Sequence, residues 1–326
     1  MTLYVLRRFL NYAVLSLLAT CLAYVLGSAL LRPQDRFYGM NPRPPEDSII
    51  ASLNALGANP DVPILVRLWN WLVNLFTKFS LGTTIGGQDV MTEIATRAGT
   101  SLRLLLIGSI LGAVVGVLIG VWGAVRQYRA SDQVTTYASY LVFATPTFVI
   151  GVLLMIAATG FNNALGTQVI RFTGEYTAGV EGFWPMVADR AVHLLLPTIA
   201  LVLISAASFS RYQRSMMLDV LGADYIRTAR SKGLPRTQAL FRHGVRIALI
   251  PMSTFFAYSF GTLIAGSAML EIVFSWRGMG QFQLNAVTQQ DINAVAGSTL
   301  FVAVLVLLSS TLSEVLYAAL DPRVRS

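Results

Sequence analysis

LLLIGSILGAVVGVLIGVWGAV, residues 104–125, decides the fold class: twenty-two consecutive positions carry no charged side chain. A helix of about 20 such residues crosses the roughly 30 Å of hydrocarbon in a bilayer. Working outward, five further segments have the same character: Phe9–Leu31, Val134–Thr159, Ala191–Ser210, Ile247–Leu270 and Ala294–Ser313 contain no Asp, Glu, Lys or Arg. Of the 326 residues, 55% are hydrophobic and 12% charged, with a mean hydropathy of +0.62. Soluble domains carry about 25% charged residues, and strands of a membrane barrel would alternate polarity in segments of about 10. The sequence therefore predicts an all-α integral membrane protein with six transmembrane helices.

The charges set the orientation. With the N-terminus inside, the inner segments 1–8, 126–133, 211–246 and 314–326 hold fourteen Lys and Arg in 65 positions, and the outer segments hold ten in 126. This bias places both termini in the cytoplasm and makes the net charge of +8 an orientation signal rather than a nucleic-acid footprint. Arg7 and Arg8 precede an apolar run that exceeds the 7–15 residues of a signal-peptide core, so residues 1–31 are read as a retained first helix. Cys21 is the single cysteine, which excludes an internal disulfide and a cysteine-cluster metal site. His193 and His243 stand far apart, with no carboxylate expected at ligand spacing, and are read as packing or surface residues.

Residues 32–103 form a long external segment opened by Pro33, Pro42, Pro44 and Pro45. Within it, residues 62–80 read as an amphipathic helix, with Leu65, Leu68, Leu72, Leu75, Phe76 and Phe79 on one side and Arg67, Asn70, Asn74 and Lys78 opposite. Trp69 and Trp71 suit a membrane interface; lining an outer vestibule is the alternative. The core is expected at 104–313. Its first span carries Gly108, Gly112, Gly116 and Gly120 on one face, a pattern that lets another backbone approach, inside the chain or in a partner. Pro146, Pro197 and Pro251 mark bends in later spans.

The cytoplasmic segment 211–246 carries the functional signal. At its centre Asp224-Tyr-Ile-Arg-Thr-Ala-Arg-Ser-Lys-Gly233-Leu-Pro235 reads as a two-turn helix over Tyr225–Lys232. Asp224 serves as N-cap, Arg230 and Lys232 lie in the last turn, and Gly233 with Pro235 makes the stop. So short a helix is marginal alone and is expected to persist by packing. It can plug a partner's socket or lie on anionic headgroups.

This run resembles the coupling-helix motif of binding-protein-dependent ABC permeases of the dipeptide, oligopeptide and nickel branch. Ala229 and Gly233 match the motif's alanine and glycine, while Arg227 and Thr228 fill its remaining positions. The resemblance extends through Asp89–Leu105, Arg242-His243, the Glu271–Gly280 stretch and the ending Leu316–Arg325, and is close to the first of the two permeases of such systems. It implies a type I ABC importer permease fold in the cytoplasmic (inner) membrane, carrying di- or oligopeptides inward. It also implies a second homologous permease, two ATP-binding subunits or one fused pair, and an external substrate-binding protein or lipoprotein. Nickel chelates, haem and glutathione are the alternative cargoes.

No cofactor is expected on this chain, nor nucleic acid; ATP and Mg would sit on the partner ATPases, and membrane lipid surrounds the bundle. The only lysines, Lys78 and Lys232, are followed by Phe and Gly, so no Gly-Lys-Ser/Thr phosphate loop is present. The residues expected to couple to the ATPase are Asp224, Tyr225, Arg227, Thr228, Ala229, Lys232, Gly233 and Arg236. Pro146, Phe148, Phe256 and Ser259 are candidates for the substrate pathway. An ion-coupled carrier or channel is the rival reading, and the absence of a charge inside the six spans speaks against it. A non-transporting scaffold would leave the capped helix without a purpose.

Overall fold

The computed structural model describes residues 2–320, apart from the side chains of residues 2–5, 236, 257, 258, 260–266 and 316–320. Helices follow in the order α1 (Thr2–Leu30), α2 (Asp35–Tyr38), α3 (Glu46–Ala55), α4 (Ile64–Lys78), α5 (Val90–Val125), α6 (Ala130–Ala144), α7 (Thr147–Leu165), α8 (Phe183–Leu221), α9 (Asp224–Ser231) and α10 (Arg236–Ala239). A π-helical turn, Leu240–Gly244, leads into α11 (Val245–Val273), followed by α12 (Met279–Thr288) and α13 (Ile292–Leu320). Among the described residues, five helical stretches are long and apolar enough to cross a membrane: Leu6–Tyr38, Val90–Val125, Thr147–Leu165, Phe183–Leu221 and Ile292–Val315. The expected span 247–270 falls on α11, part of whose side chains lie outside the described residues, as does most of the expected C-terminal segment 314–326.

The chain divides into two compact units: one of Met1–Val5, Arg103–Trp276 and Leu308–Ser326, the other of Leu6–Leu102 and Arg277–Leu307. In the first, α5 and α8 run in the same direction and meet along the four glycines. A Cβ at Gly108, Gly112, Gly116 or Gly120 would come within 2.8 Å of Leu201, Ser205, Phe209 or the Ser210 carbonyl respectively. Real Cβ atoms do not approach that closely, so glycine is required at each step. The facing residues on α8 advance four at a time, in register with the glycines, which explains why small residues recur at this spacing. With hydrocarbon as solvent, such close backbone packing holds helices together where the hydrophobic drive is weak.

The 39 residues of α8 make a helix about 58 Å long, well beyond the hydrocarbon thickness. Its far end carries Arg214, which donates from Nε and Nη2 to the two carboxylate oxygens of Asp132 at the start of α6, at 2.7 and 2.8 Å. The Ser139 and Ser210 hydroxyls, 3.1 Å apart, add a second tie between α6 and α8.

The third expected span, Val134–Thr159, is not one helix. Thr145 is extended (φ −86°, ψ 127°) and Pro146 caps α7. A residue before proline is driven from the α region by the ring's Cδ, and here the chain breaks completely. Pro197 and Pro251, in contrast, remain inside α8 and α11. Beyond α7 the loop is pinned from both ends. Asn162 Oδ1 accepts from the Val169 and Ile170 amides, while Asp189 receives Arg171 Nη1 (2.6 Å), Thr177 N (2.6 Å) and Thr177 Oγ1 (2.8 Å). Asp189 also lies one turn before buried His193, whose Nδ1 is 2.9 Å from the Asp189 carbonyl. The expectation of no carboxylate at ligand spacing from a histidine meets an exception in Asp189, whose Oδ2 lies 3.6 Å from that nitrogen, while His193 is buried, in keeping with its reading as a packing residue.

The second unit gives the long segment 32–103 a core of its own, with Tyr24, Ile49, Leu53, Trp71, Leu81, Val90, Met279, Phe282 and Ile292 buried together. Asn293 ties its loops by donating to the carbonyls of Leu56 (2.9 Å) and Thr83 (3.0 Å), and Asp291 accepts from the Ile85 amide at 2.6 Å. Against expectation, Trp71 is not an interfacial residue: it is 5% exposed, packs on Tyr24 at 5.4 Å between centroids and donates to the Leu81 carbonyl. Arg67, expected on the polar side of α4, is also buried, whereas Trp69 is 67% exposed. The helical period was right and the buried side right only in part: α4 packs Leu68, Leu72 and Leu75 against the core, turns Arg67 and Trp71 inward as well, and leaves Leu65, Val66, Trp69 and Phe76 out.

Candidate functional site

The small helix α9 spans Asp224–Ser231, one residue earlier than expected. Ala223, extended at φ −74° and ψ 144°, is the N-cap and supplies no side chain; Asp224 is the first helical residue, where a carboxylate favours the helix dipole. Thr228 Oγ1 donates back to the Asp224 carbonyl at 2.9 Å. Arg227 lies 3.8 Å from the Asp224 carboxylate, an exposed pair that contributes little. Lys232 closes the helix, and Gly233 follows at φ +93°, a left-handed conformation that glycine alone adopts freely. No atom lies within 4 Å of where a Gly233 Cβ would stand, so backbone conformation rather than space demands glycine there.

One side chain holds α9 in place. Ile226, 3% exposed, enters a core with Val121 and Ala124 of α5, Met217 and Val220 of α8, Leu240 of the π turn and Ala248 of α11. Gly244 makes room for it: a Cβ there would meet Val220 at 2.9 Å and Ile226 at 3.6 Å. A displacement of α9 is thus transmitted through a close-packed apolar contact to the ends of three long helices.

The rest of α9 faces outward. Asp224, Tyr225, Arg227, Thr228, Lys232 and Gly233 are exposed and Ala229 is half-buried. Partial burial nevertheless pushes the Tyr225 hydroxyl up from its ordinary value. Arg236 opens α10, and its side chain lies outside the described residues. The surface offers a carboxylate, a phenol, guanidinium and ammonium groups and a hydroxyl over two turns, suited to a polar socket.

The pathway candidates fall on two elements. Pro146 and Phe148 stand exposed at the break before α7, while Phe256 is half-buried on α11, 6.2 Å from the Phe209 ring, and Ser259 donates to the Phe256 carbonyl. The sequence reading passed over Ile226, Gly244 and the Asp132–Arg214 pair. The signal for Ile226 was present, as the one large aliphatic residue in an otherwise polar helix; the other two depend on which helices meet.

Residues 112–326 match the family described as binding-protein-dependent transport system inner membrane component, and the chain belongs to that family. It therefore has the type I ABC importer permease fold and is a multi-pass membrane transport component rather than an enzyme, working with a partner ATPase and a substrate-binding protein. Over 326 residues, all of this chain and 99% of the other, it is 51% identical to the oligopeptide transport system permease protein OppB of Mycobacterium tuberculosis (strain ATCC 25618 / H37Rv). It is 33% identical to the oligopeptide transport system permease protein AppB of Bacillus subtilis (strain 168), covering 99% of each chain. It is 30% identical to the glutathione transport system permease protein GsiC of Salmonella typhi, covering 99% of this chain and 98% of that one.

Proposed function

We propose that this chain is one of two permeases forming the path of an ATP-driven importer of short peptides in the cytoplasmic membrane, with both termini in the cytoplasm. The carrying observation is α9: an exposed polar helix anchored only through Ile226, at the junction of α5, α8 and α11. A helix so placed receives force from one partner and passes it to three spans. Asp224, Tyr225, Arg227, Thr228, Ala229, Lys232, Gly233 and Arg236 form the contact with an ATPase, two of which bind ATP and Mg beneath the pair of permeases. Closure of the ATPases on ATP moves α9 and switches the bundle between inward-open and outward-open states, each favoured by different contacts. The sequence positions of Pro146, Phe148, Phe256 and Ser259 suggest their place along the path.

The full-length similarity to the two oligopeptide permeases supports peptide cargo. Similarity to GsiC keeps the tripeptide glutathione as the competing cargo. Co-purification in mild detergent tests the reading: the wild type should bring down a second permease and ATPases with ATP hydrolysis, and Gly233→Arg should weaken both. Uptake in cells of labelled tri-alanine, with glutathione as competitor, then decides the cargo. Recovery of the chain alone, without nucleotide hydrolysis, would reject the coupling role.

A further inference from the structure

The second unit holds an open-mouthed cavity of about 490 Å³, bounded by α4 and the loops that Asn293 ties together. Its size falls in the range of small-molecule sites, about 300–1,000 Å³. Arg67 lines it, is 6% exposed, and has an Nε without any hydrogen-bond partner. No lining residue is acidic, and among the described residues no carboxylate pairs with Arg67. A guanidinium withdrawn from water without a counter-charge is costly, and the cost is recovered when an anion reaches it.

The other lining groups define that anion. Asn70 and Asn74 follow Arg67 along α4 at three and seven residues, on one face, and offer side-chain amides to the cavity, whereas Asn59 is held by Asn54 and the Asp61 amide and Asn293 by the Leu56 and Thr83 carbonyls. Amides both donate and accept, as peptide bonds require, and Tyr24 and Trp71 offer ring surface. A single guanidinium fork matches the single charge of a carboxylate; a phosphate dianion would need more positive charge than the cavity contains.

We propose that this cavity, in the segment that precedes the permease core, binds the terminal carboxylate of a short peptide, with Arg67 as the carboxylate-binding group and Asn70 and Asn74 holding the adjoining amide. The site is separate from the coupling segment. It rests on the peptide reading only for the choice of probe, and the two fail separately: binding here is measured without ATPase, uptake or partner.

The full chain in phosphatidylcholine nanodiscs is titrated calorimetrically with tri-alanine, its C-terminal amide and inorganic phosphate. Saturable binding of tri-alanine is expected, weakened about tenfold or more in the amide and in Arg67→Gln. Asn70→Asp, at an exposed position on α4, places a competing carboxylate beside Arg67 without removing it and should weaken tri-alanine to the same degree, so the test survives if Arg67→Gln misfolds. Equal binding of acid and amide, no saturable binding of tri-alanine, or binding unchanged in Asn70→Asp overturns the proposal. Tighter binding of phosphate than of tri-alanine overturns it in favour of a phosphate-bearing ligand such as a lipid headgroup.

Discussion

Arg214 grips Asp132 with two nitrogens on two oxygens, across 82 residues of sequence, and the Tyr128 amide completes the carboxylate's coordination at 3.0 Å. The pair fixes the start of α6 to the end of α8, beside the core that receives Ile226. Arg214 holds the Asp132 carboxyl below the ordinary carboxylate range, overcoming the opposing effect of burial. A depressed folded value means that the stabilisation is fully present above the unfolded value near 3.8 and is lost as pH falls through the lower folded value.

Asp132→Asn should therefore cost about 1.5–3 kcal/mol, the range for hydrogen bonds to a charged group. A lowered unfolding midpoint in detergent at neutral pH checks this. The difference between wild type and variant should shrink only in acid, below the ordinary carboxylate range.

The glycine ladder makes a paired prediction. Gly116→Ala places a Cβ against Phe209 and the Ala206 carbonyl, and overpacking of that kind costs about 1–3 kcal/mol. Gly99→Ala, on the same helix but with nothing within 4 Å of where the new Cβ would stand, should be neutral or stabilising by up to about 1 kcal/mol. Thermal unfolding of the two variants side by side measures the contrast.

Ile226→Ala removes the only deeply buried side chain of α9 and should loosen the helix by about 2–5 kcal/mol, the range for such a truncation. In the assembled complex, ATP hydrolysis should then run with less uptake for each ATP consumed. Arg227→Ala, on the exposed face, should leave the unfolding midpoint unchanged and weaken ATPase retention. Measuring uptake, hydrolysis and co-purification on both variants separates the anchor from the contact surface.

Asp189→Asn breaks the pin on the loop after α7, since an amide offers one acceptor where the carboxylate serves Arg171 and Thr177 with two. Hydrogen exchange at the Thr177 amide should quicken by about tenfold, the equivalent of one lost hydrogen bond, while exchange along α5 stays as in the wild type.

Helical character in the apolar runs was legible because a charge-free stretch of bilayer length has few alternatives. The glycine spacing showed one face of α5 packed closely, and Asp224 through Pro235 marked a short helix with a firm stop. Less was legible where two solutions share one pattern. Periodicity gave α4 a helix and the inward packing of Leu68, Leu72 and Leu75 but not of Arg67 and Trp71, because an Arg turns inward when a cavity receives its head and a Trp when its indole N–H finds a carbonyl, here that of Leu81. The break at Thr145–Pro146 and the continuity through Pro197 and Pro251 begin from the same residue type and differ in what surrounds each.

By itself, the sequence determined a helical membrane chain and the position of its small polar helix, because hydrocarbon forces the backbone to satisfy its own hydrogen bonds over a fixed length. Only the tertiary structure decided that Leu201, Ser205 and Phe209 face the glycines, that Arg214 reaches Asp132, that Ile226 seats beside Gly244, and that Arg67 lines a cavity. Each of these joins residues far apart along the chain. Local periodicity limits which faces can pack, and the partner each face meets is settled by shape and charge fitting across helices.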